Sequence, residues 1–193
     1  MFVNPKILKR LMKEAFKANS LIIGRKEDNM FIQGQYWQFL CDRKFVNKTI
    51  YAEIIELAGE IPDEGECFCA GKGGNQMQVH SMEIPFPADA KEVAVTDFVL
   101  LHKTGVAQRI LQFQSGKTVV ISEKILAATR GKHYDEEQGE HQAFGPFCNL
   151  GHGVLWKNNT GKFRVLFRQD DEHENLLEQL ACVDLTEKNE ELQ

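Results

Sequence analysis

The chain has 193 residues, 42% of them hydrophobic and 26% charged, with a formal net charge of −5. That length buries a core without disulfides or metal, and the composition is that of a globular chain. No apolar run reaches the roughly eighteen residues of a membrane-crossing helix, the N-terminus lacks the unbroken apolar segment of a secretory signal, and five scattered cysteines suit a reducing cytoplasm.

The first element is an amphipathic helix. Asn4 is an N-cap and Pro5 fits the first helical position, where a missing N–H costs nothing. Leu8, Leu11, Met12, Ala15 and Phe16 form the apolar stripe, and Asn19 can close the helix in a left-handed conformation. Lys6, Lys9, Arg10, Lys13 and Lys17 line the other side, so residues 1–20 carry a net +4. Such a face can dock on the fold or touch phosphates or an acidic protein.

Three strands follow in LIIGRK, MFIQG and YWQFLC, rich in β-branched and aromatic residues and separated by turn residues. Asn47 then caps a helix with Ile50, Ile54, Ile55 and Leu57 on one face and Gly59 as its stop. The segment from about 57 to 92 is rich in Pro and Gly. It predicts a short strand at Cys67–Cys69, a hairpin tip at Gly71-Lys72-Gly73-Gly74 and a further strand around Met77–Ile84.

The order then recurs. VAVTDFVLLH, VAQRILQFQ and TVVI read as strands, and Ser122 caps EKILAATR, which Gly131 ends. This repetition suggests two related halves, 1–88 and 89–193, with one compact domain as the alternative. The stretch His133–His152 reads as a surface loop. GVLWKNNTGKFRVLFRQ is a hairpin about Asn158–Gly161, and a terminal helix begins after Asp170 or Asp171, followed by a frayed TEKNEELQ. The expected fold class is α+β: antiparallel sheets, an N-terminal amphipathic helix and two short capped helices.

Candidate chemistry is sparse. Cys67 and Cys69 with Cys148 and His152 make a thiolate and imidazole set for structural zinc. One residue between Cys67 and Cys69 is, however, shorter than paired zinc ligands usually show. His133, Asp135, Glu137 and His141 could serve a hydrolytic metal, but no HExxH frames them. There is no Gly-x-Ser-x-Gly elbow, and the Gly71–Gly74 turn is not a P-loop. No cofactor is expected.

Charge offers more. Residues 170–193 carry a net −8, opposite in sign to the first helix. Carboxylates at Asp135, Glu136, Glu137, Glu140, Asp170, Asp171, Glu172, Glu174 and Glu178 can imitate a phosphate backbone and occupy a basic groove. The leading expectation is therefore a non-catalytic binding protein, of the kind carried by phages and mobile elements. It would inhibit a nucleic-acid-handling protein, such as a CRISPR effector nuclease. The alternative is a clamp-like accessory factor that binds DNA or RNA directly through Lys6, Lys9, Arg10, Lys13, Lys17, Lys162 and Arg164. In KFRVLFR, Lys162, Arg164 and Arg168 approach one face. A metal-dependent hydrolase or zinc-stabilised domain is the third. No membrane partner is expected.

Overall fold

The computed structural model describes residues 1–167 and 173–186. Within them the fold is α+β, with an 11-stranded antiparallel sheet and four α-helices. In chain order the elements are α1 (Pro5–Lys17), β1 (Leu21–Lys26), β2 (Asn29–Gly34), β3 (Trp37–Asp42), α2 (Lys48–Ala58), β4 (Cys67–Ala70) and β5 (Gln76–Met77). They continue with β6 (Lys91–Leu101), β7 (Ala107–Phe113), β8 (Thr118–Ser122), α3 (Glu123–Leu126), β9 (Phe144–Asn149), β10 (Gly153–Lys157), β11 (Gly161–Val165) and α4 (Glu174–Leu180).

The strand order is β5-β4-β1-β2-β3-β11-β10-β9-β6-β7-β8. Two three-stranded meanders, β1–β3 and β6–β8, thus lie on either side of β9–β11. The hairpin β10–β11 docks on β3, with Phe163 opposite Phe39. The sheet is therefore continuous across position 88.

Helix starts follow local chemistry. The Asn4 side chain accepts from the Lys6 and Ile7 amides at 3.0 and 3.3 Å, and Asn19 adopts φ +52 just past the end of α1. Asn47 caps α2, and Gly59 closes it at φ +78. The helix after β8 is shorter than EKILAATR suggests. Ser122 makes no side-chain cap, and the chain tightens into a 3-10 turn at Ala127–Thr129.

Strand alternation gives the sheet two apolar faces. Leu21, Ile23, Met30, Ile32, Trp37, Phe39, Phe163 and Val165 point to one face and pack with Leu8, Leu11, Met12 and Ala15 of α1 and Ile50 and Ile54 of α2. On the opposite face Phe31, Cys67 and Leu155 pack beneath Met82 and Ile84. The segment 78–88 is therefore not the strand its composition suggests. It is an irregular strap laid across the sheet. The Gln78 amide donates to the Cys67 carbonyl at 2.8 Å on β4. Lys162 of β11 donates to the Ile84 carbonyl at 2.9 Å. Phe86 meets the Phe147 ring of β9 edge-on, with centroids 5.3 Å apart. Pro85 and Pro87 lack the N–H groups a ladder needs. Gly24 has its role here, since a Cβ at that position would collide with the Met82 sulfur.

The sheet also curls. Trp37 of β3 and Val120 and Ile121 of β8 line one cavity, although six strand spacings separate β3 from β8 in the ladder. In a flat sheet that is about 29 Å. Leu11, Ala15 and Ala18 at the end of α1 roof the cavity, whose volume is about 350 Å³.

Candidate recognition surface

β6 is the longest strand among the described residues, and most of its side chains are exposed. It pairs with β9 only at Lys91 and Glu92. On its other side it pairs with β7 as far as Leu101. Beyond Glu92 its outer edge meets no strand among the described residues. Val95, Phe98, Val99 and Leu101 are all exposed, Phe98 at 51% and Leu101 at 69%. An unpaired row of backbone donors and acceptors bearing large apolar side chains is a template for strand addition.

The shape of this edge is fixed by a bulge. Val95 faces Leu111 and Val99 faces Arg109, so three residues of β6 stand where β7 has one. The Thr96 hydroxyl donates to the Ile110 carbonyl at 2.8 Å and accepts from the Phe98 amide at 3.2 Å. Arg109 donates to the Thr96 carbonyl at 3.0 Å while both its Nε and Nη2 hold Glu123, at 2.8 and 3.0 Å. Arg130 grips the same carboxylate at 2.6 Å. The Arg109 hydrogen bonds, with help from Arg130, hold the Glu123 carboxyl below the ordinary carboxylate range against the opposing effect of burial. This polar brace lies behind the bulge at which Phe98 is exposed.

A second open edge borders the apolar cavity. Among the described residues, Val119–Ile121 of β8 pair with no strand other than β7. The cavity between this edge and α1 is lined mainly by apolar groups, with an ion pair between Glu14 and Lys124 at its rim.

The acidic candidates do not form one face. Glu140 is buried, where its carboxylate meets the Met1 α-amino group and accepts from the Asp135 amide and the Thr160 hydroxyl, each at 2.9 Å. Asp135 caps the 3-10 turn Glu136–Gln138, Glu136 pairs with Lys132 at 3.1 Å, and Glu137 is exposed. This loop borders Val46 and Asn47. Glu174 and Glu178 are exposed on α4, which packs on β8. Asp170, Asp171, Glu172 and Arg168 lie outside the described residues, as does most of TEKNEELQ.

The basic candidates are divided too. Lys9 and Lys13 reach the buried Glu53 at 2.7 and 3.5 Å, while Lys6, Arg10 and Lys17 are exposed. Lys162 and Arg164 point to the strap face, on the opposite side of the sheet from α1.

The thiols are dispersed. Cys67 and Cys69 lie on β4 and Cys148 on β9, with five strands between them in the ladder. Cys67 faces the strap and Cys148 the helix-covered core. Burial pushes the Cys148 thiol up to about 12 and the Cys67 thiol up to about 11, which disfavours the thiolate that a nucleophile or zinc ligand needs. His152 sits in the exposed turn between β9 and β10. Six of the twenty residues of the stretch His133–His152 are not loop, because Phe144–Asn149 forms β9. No group of three or more His, Cys, Asp or Glu side chains among the described residues is arranged to hold a metal ion. Nor is any helix among them long and apolar enough to cross a membrane.

The β6 edge is the feature that sequence reading missed. VAVTDFVLL is almost continuously apolar, which normally marks a strand buried on both faces. The one local sign of exposure is Asp97 in its middle. Comparison of the chain with protein-family models, with curated proteins and with solved structures produced no match.

Proposed function

We propose that the protein is a non-catalytic binding module that captures a partner protein by strand addition along β6. The observation that carries this reading is the unpaired edge beyond Glu92, with Val95, Phe98, Val99 and Leu101 exposed upon it. Main-chain hydrogen bonds would supply affinity and the alternate apolar side chains selectivity.

The proposed partner is a protein that handles nucleic acid, with a CRISPR effector nuclease as the concrete case. The support is electrostatic. The net charge is −5. Glu92 and Asp97 are exposed on β6 itself, where the exposed Lys91 is the one cation. α4 begins beside the β6–β7 turn, where the His102 and His173 rings lie 6.3 Å apart, and it carries the exposed Glu174 and Glu178. An apolar edge with an acidic rim complements the basic channel of such an enzyme.

Affinity capture tests this with the wild-type chain and a Phe98→Asp/Leu101→Asp variant as parallel baits. The expected result is enrichment of nucleic-acid enzymes by the wild type, steep loss in high salt, and no enrichment by the variant. Equal capture by both baits, or none by either, would overturn the reading.

A further inference from the structure

The strap face holds a cation without a counter-charge. Arg164 on β11 is 9% exposed. Its Nε donates to the Gln38 Oε1 at 2.7 Å, and its Nη2 donates to the same oxygen. One neutral acceptor thus serves a guanidinium that carries five N–H groups. No carboxylate lies within ion-pair distance of Arg164 among the described residues. Other charges there are matched: the buried Glu53 by Lys9 and Lys13, the buried Glu140 by the Met1 amine, and the partly buried Arg109 by Glu123. Glu83, on the strap, is taken by Lys26. An uncompensated buried charge is costly, and burial disfavours the charged form of this guanidinium.

The surrounding groups hold Arg164 in place without neutralising it. Gln38 donates through Nε2 to the Gln33 Oε1 at 2.6 Å, and the His80 Nε2 lies 3.0 Å from that same oxygen. Arg164, Gln38 and Gln33 are cross-strand neighbours on β11, β3 and β2. This row fixes the plane of the guanidinium. Lys162 lies two residues earlier on the same face and pairs across the ladder with Lys157, which stands over the Phe86 ring at 3.9 Å. Both add positive potential.

We infer that Arg164 is the anchor of an oxyanion-binding point on the strap face, where a carboxylate or phosphate group docks against the free N–H groups of the guanidinium. The fork geometry suits two parallel hydrogen bonds to such a group, which a lysine cannot reproduce. This site is independent of the β6 reading and lies on β11 and β3 rather than on the β6–β8 meander.

NMR of the arginine side chains tests it in the intact chain. Inorganic phosphate, succinate and sodium chloride are titrated separately at matched ionic strength, and the Nε–Hε resonance of Arg164 is followed. The expected result is a saturable shift with phosphate or succinate and none with chloride. The anion that saturates at the lower concentration identifies the source as phosphate or carboxylate. In Arg164→Lys, the resonances of Gln38 and Gln33 report on the site, and affinity falls about tenfold or more. A response to all three salts that is alike and non-saturating would overturn the inference. So would unchanged affinity in Arg164→Lys.

Discussion

Lys9 sets its ammonium 2.7 Å from the carboxylate of Glu53, which is wholly buried on α2. This pair joins α1 to α2 and consumes part of the positive face that the sequence displays. Lys13 approaches the same carboxylate at 3.5 Å, and Glu56 lies 4.0 and 3.6 Å from the two lysines. Two cations of the basic head are therefore matched within the fold by α2, while Lys6, Arg10 and Lys17 stay exposed.

Removing both cations should expose this dependence. Lys9→Met/Lys13→Met leaves the Glu53 charge buried without a partner, so the melting temperature should fall clearly. Restoring neutrality with Glu53→Gln in the same background should recover part of the loss. Thermal denaturation of these proteins, the wild type and Glu53→Gln alone measures it, and additive effects would contradict the coupling.

The strap contributes stability through a few anchors. Ile84 is 1% exposed against Phe31 and Leu155. Ile84→Ala should cost about 2–5 kcal/mol and should increase proteolytic cleavage between residues 78 and 88. Urea denaturation and limited proteolysis check both effects. Unchanged stability would mean that the strap is not packed as described.

Acid should loosen the brace under β6. The Glu123 carboxyl is held below its usual 4.5 chiefly by the hydrogen bonds from Arg109. A carboxyl lowered in the folded state contributes stability above its unfolded value and loses it as pH falls through the folded one. Glu123→Gln should thus be less stable than wild type at neutral pH. The two should converge as pH falls below the ordinary carboxylate range and through the lowered folded-state value. Denaturation curves from pH 7 to 3 measure the convergence, and a constant difference would exclude this role.

Gln112 holds the C-terminal segment like a strand partner. Its Nε2 donates to the Val183 carbonyl at 2.7 Å, and its Oε1 accepts from the Leu185 amide at 2.8 Å. Gln112→Ala removes both bonds and should weaken local docking by about 1–3 kcal/mol. Faster amide exchange at Leu185, with little change in β1–β3, is the expected readout.

Local chemistry was legible in the sequence where one residue decides it. Asn4, Pro5, Asn47 and Gly59 mark helix ends, and Asn158–Gly161 marks the hairpin, because capping and turn geometry are short-range. Long-range features were not. Nothing local pairs β3 with β11, or brings β3 and β8 to one cavity. The strap looked like a strand because Met82 and Ile84 are apolar and alternate, but they pack onto a sheet face instead of joining a ladder. Arg164 looked like an outward cation because alternation puts it opposite Phe163, and the strap that covers that face comes from residues about eighty positions earlier in the chain.

The acidic site was legible only as composition. Glu140 sits among exposed carboxylates in sequence yet is buried against the Met1 amine, a contact 139 residues apart. The β6 edge was hidden for the opposite reason. Apolar residues are normally buried, and their exposure depends on where β9 stops pairing.

The β6 surface should tolerate change in the isolated protein. Phe98→Asp and Leu101→Asp replace exposed side chains, so each should shift stability by no more than about 0.5 kcal/mol. Larger losses would show that the edge is structural rather than reserved for a partner.

Amide hydrogen exchange on a complex with a captured partner is the most direct measurement. Strand addition predicts strong new protection at residues 94–101, with β1–β3 unchanged. Protection confined to α1 or to the Asp135–Glu140 loop, with β6 exchanging as in the free protein, would contradict recognition through this edge.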